Sequence, residues 1–341
     1  MVRSGAKPAK VLLDGEYLDK SPGYRIDVEI ARGNTGAAVY RAERAGFEDV
    51  AVKYPVTHSE LGALKAIRSR SPDCPGVLQM TSSGTYNGGL YVVMPMLGPC
   101  LSKLFERLLD MPPADRWTVV STVGRMLLRS LEGIHRCGIV HCDVQPNNIL
   151  VGKVNDARAK KNAPFRPFFI DFGCARSFPG GLPMDGRWGS LDFNSIRSAG
   201  GGERDPHDDL ESLGWVLCHA FAGELPWFPF TVHAWEVGMW KGEAVDAACR
   251  EVQQAKLQVR CRGWSSFGPS WAHLEDIPEQ LSEYLRTCWT CPRGRAPDYA
   301  VLAELLGAPA GRDAEDMEEA DLAFFNEEVV PLLDLADLSL M

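Results

Sequence analysis

One ten-residue sequence, His141-Cys142-Asp143-Val144-Gln145-Pro146-Asn147-Asn148-Ile149-Leu150, gives the first indication of the chemistry. It places an acid, Asp143, five residues before an amide, Asn148, and Asp171-Phe172-Gly173 follows further on. A site that moves a phosphoryl group needs a carboxylate to orient the attacking hydroxyl and oxygen ligands to hold Mg²⁺ against the phosphates. Asp143 suits the first task, and Asn148 and Asp171 suit the second. The spacing therefore indicates phosphoryl transfer.

Composition and charge limit what the chain can be. Its 341 residues are 45% hydrophobic, which suits one large two-lobed domain or two ordinary ones. The formal net charge is −9, but residues 310–341 contain ten acids and one base, so residues 1–309 are close to neutral. A nearly neutral body gives no charge argument for nucleic acid, and we expect no nucleic-acid partner.

Membrane and export signals are not expected. The sequence contains no run of about 18 apolar residues, the length that a membrane span needs. Residues 1–10 include basic residues but lack the adjoining apolar core of a signal peptide. Ten cysteines at irregular spacings favour a reducing compartment, cytoplasmic or nuclear. The Cys288-Trp289-Thr290-Cys291 motif lacks a second pair, so we interpret it as structural and not as a zinc site.

Residues 24–53 have the pattern of β-strands. Apolar residues alternate at the start, a turn of small residues occupies 31–36, and a short apolar strand ends at Lys53. Gly33 and Gly36 in the turn would let backbone N–H groups approach a phosphate closely. A lysine at the end of an apolar strand is costly to bury without an anion, so we expect Lys53 to have one.

The next segments predict a partner for this lysine and a hinge. Glu60 is the acid in the helical stretch 59–67, and we predict that it pairs with Lys53. Two more strands are predicted, at Gly76–Met80 and Leu90–Met94. Prolines then stiffen residues 95–99. We predict a hinge between two lobes there, with an adenine bound to the backbone near Met96 or Leu97.

Helical patterns dominate the rest of the chain. Apolar periodicity predicts a helix over 115–137, and a nearly continuous apolar run predicts a buried helix over 208–218. Asp209, at the start of that helix, could cap it or hold the catalytic loop from below. Residues 152–167 are basic and polar and are predicted to form a hairpin loop. Residues 174–195 are rich in Gly, Pro and Ser, as in a mobile activation segment.

Together these motifs resemble those of casein kinase I superfamily protein kinases, over roughly residues 24–308. The matching motifs are Val50–Lys53, Leu97–Leu101, His141–Leu150, Asp171–Gly173, Gly189–Ile196, Asp208–Gly214, Leu225–Trp227 and Pro297–Tyr299. The resemblance implies an α+β, bilobal protein kinase fold. Its parts would be a β-rich N-lobe over 24–95, a hinge over 95–99 and a helical C-lobe over 100–308, between a flexible leader, 1–23, and an acidic tail, 309–341.

The resemblance also implies a monomeric serine/threonine kinase that uses ATP and Mg²⁺ and acts on a protein substrate. By matched position, Asp143 orients the substrate hydroxyl, and Asn148 and Asp171 bind Mg²⁺. The catalytic set is Asp143, Lys53, Gln145 and Ser190, the last placed where a hydroxyl would bridge to Asp143. The ATP-binding set is Gly33, Gly36, Val39, Ala51, Lys53, Glu60, Met94, Met96, Leu97 and Leu150.

The chain departs from the family pattern at four positions. Cys142 replaces the arginine that would hold a phosphorylated activation loop, and Gln145 stands where a lysine usually touches the transferring phosphate. Ala31 replaces the first glycine of the glycine loop. Asp192 occupies the place of an arginine from an anion site, which puts a preference for acidic substrates in doubt.

Two other functions stay open. Gln145 and the irregular glycine loop favour a pseudokinase, an ATP-binding or inert scaffold, whereas the retained Lys53, Asp143, Asn148 and Asp171 oppose it. A small-molecule kinase of the aminoglycoside or choline kinase type shares the His-x-Asp-x-x-x-x-Asn loop. The hinge and the 208–214 motif argue against that class.

The acidic tail interleaves apolar residues with its acids. An amphipathic helix there could dock on a lobe or on another protein. We expect a partner-binding or autoregulatory element outside the domain core, and a solvated tail is the alternative.

Overall fold

The computed structural model describes residues 12, 14–18, 23–33, 36–44, 46, 49–153, 163–182, 184, 188–236, 243–292, 294–309 and 314–333. Within these residues the chain forms a smaller β-rich lobe followed by a larger helical lobe. The α+β, two-lobed architecture predicted from the sequence is confirmed. The tip of the hairpin loop predicted over 152–167 lies outside the described residues.

The smaller lobe is built on a six-stranded antiparallel sheet. Its strands are β1 (Tyr17–Leu18), β2 (Tyr24–Arg32), β3 (Ala38–Glu43), β4 (Val50–Val56), β5 (Ser82–Tyr86) and β6 (Gly89–Pro95), in the spatial order β1-β2-β3-β4-β6-β5. Helix α1 (His58–Arg70) follows β4 and buries Leu61, Leu64 and Ile67. The leader predicted over 1–23 is wrong for Leu12 and Leu18, because both side chains are buried in the core of this lobe.

The strand predicted at Gly76–Met80 is also wrong. Its apolar residues are buried for another reason: Val77 forms an isolated bridge to Phe169, and Leu78 packs against Leu97. On the side of β6 opposite β4, the pairing strand is β5, which has the sequence Ser-Ser-Gly-Thr-Tyr and lies at the edge of the sheet. An edge strand needs no apolar alternation, so the sequence pattern did not identify it.

The β2–β3 hairpin carries the glycine turn and is irregular in its strand pairing. The pairing shifts register twice, at residues 26–28 and 29–31, and each bulge places one extra residue in β2. At the tip, the Gly33 N–H donates to the carbonyl of Ala37 at 2.8 Å. Gly36 has φ of +87°, a conformation that other residues rarely adopt. The two extra residues therefore lie in β2, before the glycine turn.

The larger lobe contains eight helices in the described residues. They are α2 (Leu101–Leu108), α3 (Pro113–Arg136), α4 (Pro206–Ala222), α5 (Phe228–Glu236), α6 (Glu243–Arg262), α7 (Glu279–Thr290), α8 (Tyr299–Leu305) and α9 (Ala314–Phe324). Two short antiparallel pairs join β7 (Ile139–Val140) to β10 (Arg176–Ser177) and β8 (Ile149–Gly152) to β9 (Arg166–Phe169). The central helix, α4, is buried along almost its whole length, as its apolar run predicts. Asp205 caps its N-terminus in a capping box with Asp208.

His219, near the end of α4, gives the fold a sensitivity to acid. Its ring lies among the rings of Phe105, Phe193 and Phe228, with centroid distances of 5.9, 5.6 and 5.0 Å. Burial lowers the pKa of His219 from 6.5 to about 4, and within the described part of the chain its Nδ1 has no hydrogen-bond partner. The folded state therefore holds this ring neutral at pH values where the unfolded state protonates it.

We expect the free energy of unfolding to fall between pH 6.5 and pH 4 by about 2–3 kcal/mol on account of His219. The sign follows because the unfolded chain binds the extra proton in that window. In urea unfolding, the stability of the wild type should fall relative to that of His219→Phe as the pH falls, because the variant lacks this titrating group. His273→Gln, which alters an exposed histidine, is the control. Parallel pH profiles for the wild type and His219→Phe would contradict the assignment.

The tail is part of the larger lobe where the structure describes it. Helix α9 packs on α3, as a docked helix would, and the carboxylate of Asp321 accepts bonds from Arg125 at 2.6 Å and Arg129 at 2.5 Å. Phe325 and Val329, just beyond α9, are fully buried in the main hydrophobic cluster. The expectation that the tail stays outside the core is therefore wrong for these residues, because its apolar residues complete that core.

Replacing Asp321 with alanine should lower the free energy of unfolding by about 3 kcal/mol, because it leaves two partly buried guanidinium groups without their carboxylate. Chemical denaturation monitored by circular dichroism measures the change. Glu319→Ala removes an exposed acid from the same helix and should leave stability unchanged. Equal stability of the two variants would show that the ion pairs do not hold the tail in place.

No helix in the described part of the chain is both long enough and apolar enough to cross a membrane.

Candidate active site

A buried lysine joins the two lobes. The Nζ of Lys53, on β4, lies 2.5 Å from Glu60 Oε1 and 2.8 Å from Asp171 Oδ1. Glu60 is placed in the first turn of α1, where its backbone N–H donates to the side chain of Thr57 that caps the helix. Asp171 comes from the larger lobe. The ion pair between Lys53 and Glu60 that the sequence predicted is therefore present, and Asp171 joins it as a third charged group.

These charges hold one another in the ionised state. Burial would lower the pKa of Lys53, but the carboxylates of Asp171 and Glu60 outweigh burial and raise this pKa above its ordinary value. Burial would raise the pKa of Asp171, but Lys53 and the N–H of Gly173 bring it below its ordinary value. For Glu60 burial prevails, and its pKa is raised. Lys53 and Asp171 are consequently charged at neutral pH.

The carboxylate of Asp143 is held by three neighbours. Its Oδ1 accepts bonds from Gln145 Nε2 at 2.9 Å and from the backbone N–H of Ser190 at 2.8 Å. Its Oδ2 accepts a bond from Asn148 Nδ2 at 2.8 Å. A carboxylate has about four lone-pair positions, so the contacts of the described residues leave one position on Oδ2 for a hydroxyl donor. The predicted bridge from Ser190 is made by its backbone N–H and not by its hydroxyl.

The catalytic loop is fixed from below by Asp209. The carboxylate accepts the backbone N–H groups of His141 at 2.6 Å and Cys142 at 2.8 Å, and it lies 2.9 Å from His135 Nε2. Cys142 has φ of +65°, a strained conformation that these bonds stabilise. Of the two roles that the sequence allows for Asp209, the structure shows loop support, because the helix cap is Asp205.

The turn at Asp171-Phe172-Gly173 is organised around His141. The Nε2 of this histidine donates to the carbonyl of Ile170 at 3.0 Å, and its ring lies 4.8 Å from the Phe172 ring. Phe172 is buried, whereas the Asp171 side chain is 43% exposed. The buried phenyl ring thus anchors the turn and leaves the neighbouring carboxylate accessible.

The residues predicted to bind metal and phosphate fit those groups. Mg²⁺ takes oxygen ligands. The amide nitrogen of Asn148 is used by Asp143, which leaves the amide oxygen as its acceptor, and the lowered pKa of Asp171 keeps that carboxylate ionised. Lys53 lies beside Asp171 as a charged donor for phosphate oxygens. Asn148 and Asp171 would therefore hold Mg²⁺, and Lys53 would hold the phosphates of ATP.

The apolar residues predicted to contact the base lie close to this cluster. In the sheet, Ala51 pairs with Met94 and Val39 pairs with Lys53. Met94 and Leu150 are half-buried, which leaves apolar surface accessible on each. These side chains suit the two faces of a planar base.

The hinge residues differ in what they can offer. Leu97 as a whole residue is only 5% exposed, and its side chain belongs to the cluster with Leu78 and Phe168, so it offers an adenine no apolar side-chain surface. Met96 is half-buried. Gly33 and Gly36 lie exposed at the hairpin tip, where their backbone would cover phosphates.

Asp192 does not lie in an open anion site. Its Oδ1 accepts a bond from the hydroxyl of Thr231 at 2.8 Å, and its backbone carbonyl accepts one from Trp227 Nε1 at 2.9 Å. Burial raises the pKa of Asp192, although Thr231 and Lys256 oppose that shift. The carboxylate is therefore part of the packing beneath the activation segment.

Sequence reasoning missed Lys256. This residue is on α6, is only 1% exposed and lies close to Asp192. Most lysines in helices are solvated, so its residue type gave no reason to select it. A signal was nevertheless present, because Lys256 lies in the apolar stripe formed by Val252, Ala255 and Val259.

Comparison with known proteins agrees with this geometry. The protein kinase domain model matches residues 24–289. A probable casein kinase I homolog from Encephalitozoon cuniculi is 28% identical over 225 residues, which cover 62% of this chain and 65% of that relative. The matched part thus falls just short of two thirds of the relative's length. Since the family model covers both lobes and the site between them, the chain belongs to the protein kinase domain family.

Proposed function

We propose that the chain is a serine/threonine protein kinase of the casein kinase I type, which transfers the γ-phosphate of ATP to protein hydroxyls. One observation carries the proposal: Asp143 is fixed by Ser190 and Asn148 with one acceptor position left open, as phosphotransfer to a hydroxyl requires. The similarity to a probable casein kinase I homolog supports the type of kinase.

Asp143 would act on the incoming serine or threonine hydroxyl. The open position on Oδ2 would accept a hydrogen bond from the substrate hydroxyl. This bond orients the hydroxyl oxygen for attack on the phosphate, and Asp143 then receives the hydroxyl proton. Burial raises the pKa of Asp143, so its carboxylate is a stronger base than a solvated aspartate. Asn148 and Ser190 keep the carboxylate from rotating, because they bind different oxygens.

The Lys53 cluster would serve the phosphate side of the reaction. When bound, ATP with Mg²⁺ supplies the transferable phosphoryl group and neutralises its charge. Glu60 holds the Lys53 ammonium in place, and the Asp171 side chain stays 43% exposed although the neighbouring Phe172 is buried. The charges of Lys53 and Asp171 are thus held in place before the substrates bind. Because these charges need not move during the reaction, the energetic cost of reorganising the site is lowered.

The setting that we propose is intracellular, cytoplasmic or nuclear. The ten cysteines occur at irregular spacings, as is typical of proteins in a reducing compartment. The proposed partner is a protein substrate that presents a serine or threonine, and the chain is proposed to act as a monomer.

A pseudokinase is the second candidate, and Gln145 is the observation that favours it. Gln145 carries no charge, and its amide donates to Asp143 Oδ1 at 2.9 Å. A lysine at this position would place a positive charge near the transferring phosphate. Loss of one such contact typically costs on the order of 10²–10³ in rate, but a retained donor softens the loss.

Gln145→Lys should therefore raise kcat about 10-fold, or about 1.4 kcal/mol in the barrier, with little change in the KM for ATP. Steady-state phosphotransfer to casein measures both constants. The gain should vanish in an Asp143→Asn background, because both residues act on the same step. A variant no faster than the wild type would mean that another cation already fills this position.

A three-arm assay tests the proposed function. The purified chain receives labelled ATP with Mg²⁺, and in parallel with Mn²⁺, together with casein, a panel of small alcohols, or no acceptor. We expect label in casein and not in the small alcohols. Label in the small alcohols alone would favour a small-molecule kinase. No transfer in any arm, for the wild type and for Gln145→Lys, would favour the pseudokinase.

A further inference from the structure

The segment that follows Ser190 is hydrogen-bonded to Ser190, whose N–H holds Asp143. The backbone carbonyl of Ser190 accepts the N–H of Asn194 at 2.8 Å, which folds residues 190–194 into a tight turn. The side chain of Asn194 in turn donates to the carbonyl of Trp188 at 2.9 Å. The position of the Ser190 N–H therefore depends on how this turn is held against the larger lobe.

Lys256, on α6, holds the turn from inside the lobe. Its Nζ donates to the carbonyl of Leu191 at 3.1 Å and to the carbonyl of Asn194 at 2.7 Å. The Nζ lies over the rings of Trp215 and Trp227, at 5.6 and 5.2 Å from their centroids. One side chain thus ties together both ends of the turn that begins at Ser190.

Three more side chains bind the same stretch of backbone. The Trp227 ring donates to the carbonyl of Asp192, and Gln253, also on α6, donates to the carbonyl of Ile196, each at 2.9 Å. The Ile196 N–H donates to Glu211 on α4 at 2.8 Å. Side chains from three parts of the lobe therefore fix residues 191–196.

A buried lysine is a costly way to fill space. Removing an ammonium from water is unfavourable unless the group is well paired, and a well-packed apolar residue is often as stable or more stable at such a site. Two features of Lys256 indicate a role other than packing. Both of its hydrogen bonds go to backbone carbonyls, and both carbonyls lie within four residues of Ser190.

We propose that Lys256 is a positioning residue for phosphotransfer, which fixes the turn at residues 190–194 so that the Ser190 N–H holds Asp143. This inference rests on the proposed kinase function. It assigns to α6 a part in catalysis without contact with either substrate. Lys256 holds the turn through hydrogen bonds to backbone carbonyls. The positioning of Ser190 therefore requires no phosphorylated side chain in the activation segment.

Lys256→Met tests the proposal, because methionine has a similar length but no charge and no donor. We expect kcat for casein phosphorylation to fall about 10- to 100-fold, since small misplacements of catalytic groups have effects of this size. The KM for ATP should change less than about twofold, because nucleotide contacts are unaltered. Arg250→Met changes an exposed basic residue of the same helix and should keep the wild-type kcat.

Hydrogen exchange gives a readout that does not depend on activity. Amides of residues 190–196 should exchange faster in Lys256→Met than in the wild type, while amides of α4 keep their protection. Gln253→Leu, which removes a single bond to the segment, should show the same pattern with a smaller loss of kcat. If Lys256→Met does not fold, Gln253→Leu is the variant used to test whether contacts from α6 position residues 190–196.

The outcomes separate this inference from the proposed function. An active wild type with Lys256→Met at full kcat, or with unchanged exchange in residues 190–196, overturns the role of Lys256. An inactive wild type overturns the proposed function, and the exchange data still decide whether Lys256 fixes the segment. Reduced kcat with faster exchange confined to this segment supports the proposal.

Discussion

Replacing Asp143 with asparagine is expected to lower kcat for casein phosphorylation by about 10³-fold or more, while ATP still binds. The substitution keeps the shape of the side chain but removes the base that orients the hydroxyl and takes its proton. Asn148 and Ser190 donate to this carboxylate, so the new amide would also lose part of its support. Initial rates with labelled ATP measure kcat, and calorimetric titration measures the affinity for ATP.

The control for this experiment is Asp110→Asn, which alters an exposed acid after α2 and should keep the wild-type rate. A wild-type kcat in Asp143→Asn would refute the assignment of Asp143. Loss of ATP binding together with activity would show that the substitution disturbs the whole cleft and not the hydroxyl side alone.

The second large effect is expected for Asp209→Asn. Asp209 is 1% exposed, and its carboxylate accepts hydrogen bonds from the backbone N–H groups of His141 and Cys142. In the asparagine variant, the side-chain NH₂ would face one of these N–H groups, and two donors cannot form a hydrogen bond with each other. Two charge-assisted hydrogen bonds are weakened in a buried site, which should cost about 3 kcal/mol or more in the free energy of unfolding. We also expect kcat to fall about 10²-fold, because the strained backbone at Cys142 loses its support.

Denaturant unfolding and steady-state kinetics on the same preparation measure both effects of Asp209→Asn. Asp276→Asn, at an exposed position, is the matched control. If the variant loses stability but the folded fraction keeps the wild-type kcat, Asp209 supports the fold only and does not set the geometry of the catalytic loop.

The site was predictable from the sequence where function concentrates residues in short motifs. Asp143 and Asn148 lie in one loop, and Asp171 begins the next turn, so their spacing alone indicated a shared site. The partner of Lys53 could be named because Glu60 was the acid in the following helical stretch. Their mutual distances depend on the folding of two lobes and required the structure.

Features that depend on distant packing were not predictable. Gly76–Met80 was predicted to be a strand because burial between lobes and burial in a sheet produce similar apolar runs. The alternating acids and apolar residues of the tail predicted a helix docked on a lobe or on another protein, but they did not identify its contacts, because Asp321 meets Arg125 and Arg129 on α3, far away in the sequence. Lys256 likewise acquires its role from carbonyl groups more than 60 positions earlier.

The central claim is that this cleft transfers phosphate from ATP to serine or threonine in protein, with Asp143 at the hydroxyl. The most direct measurement is mass-spectrometric mapping of phosphorylated residues in casein after incubation with ATP and Mg²⁺, for the wild type and for Asp143→Asn in parallel. We predict phosphoserine and phosphothreonine that accumulate with time for the wild type and stay at background for Asp143→Asn. Equal accumulation with both proteins, or no phosphorylated residue with either, would contradict the claim.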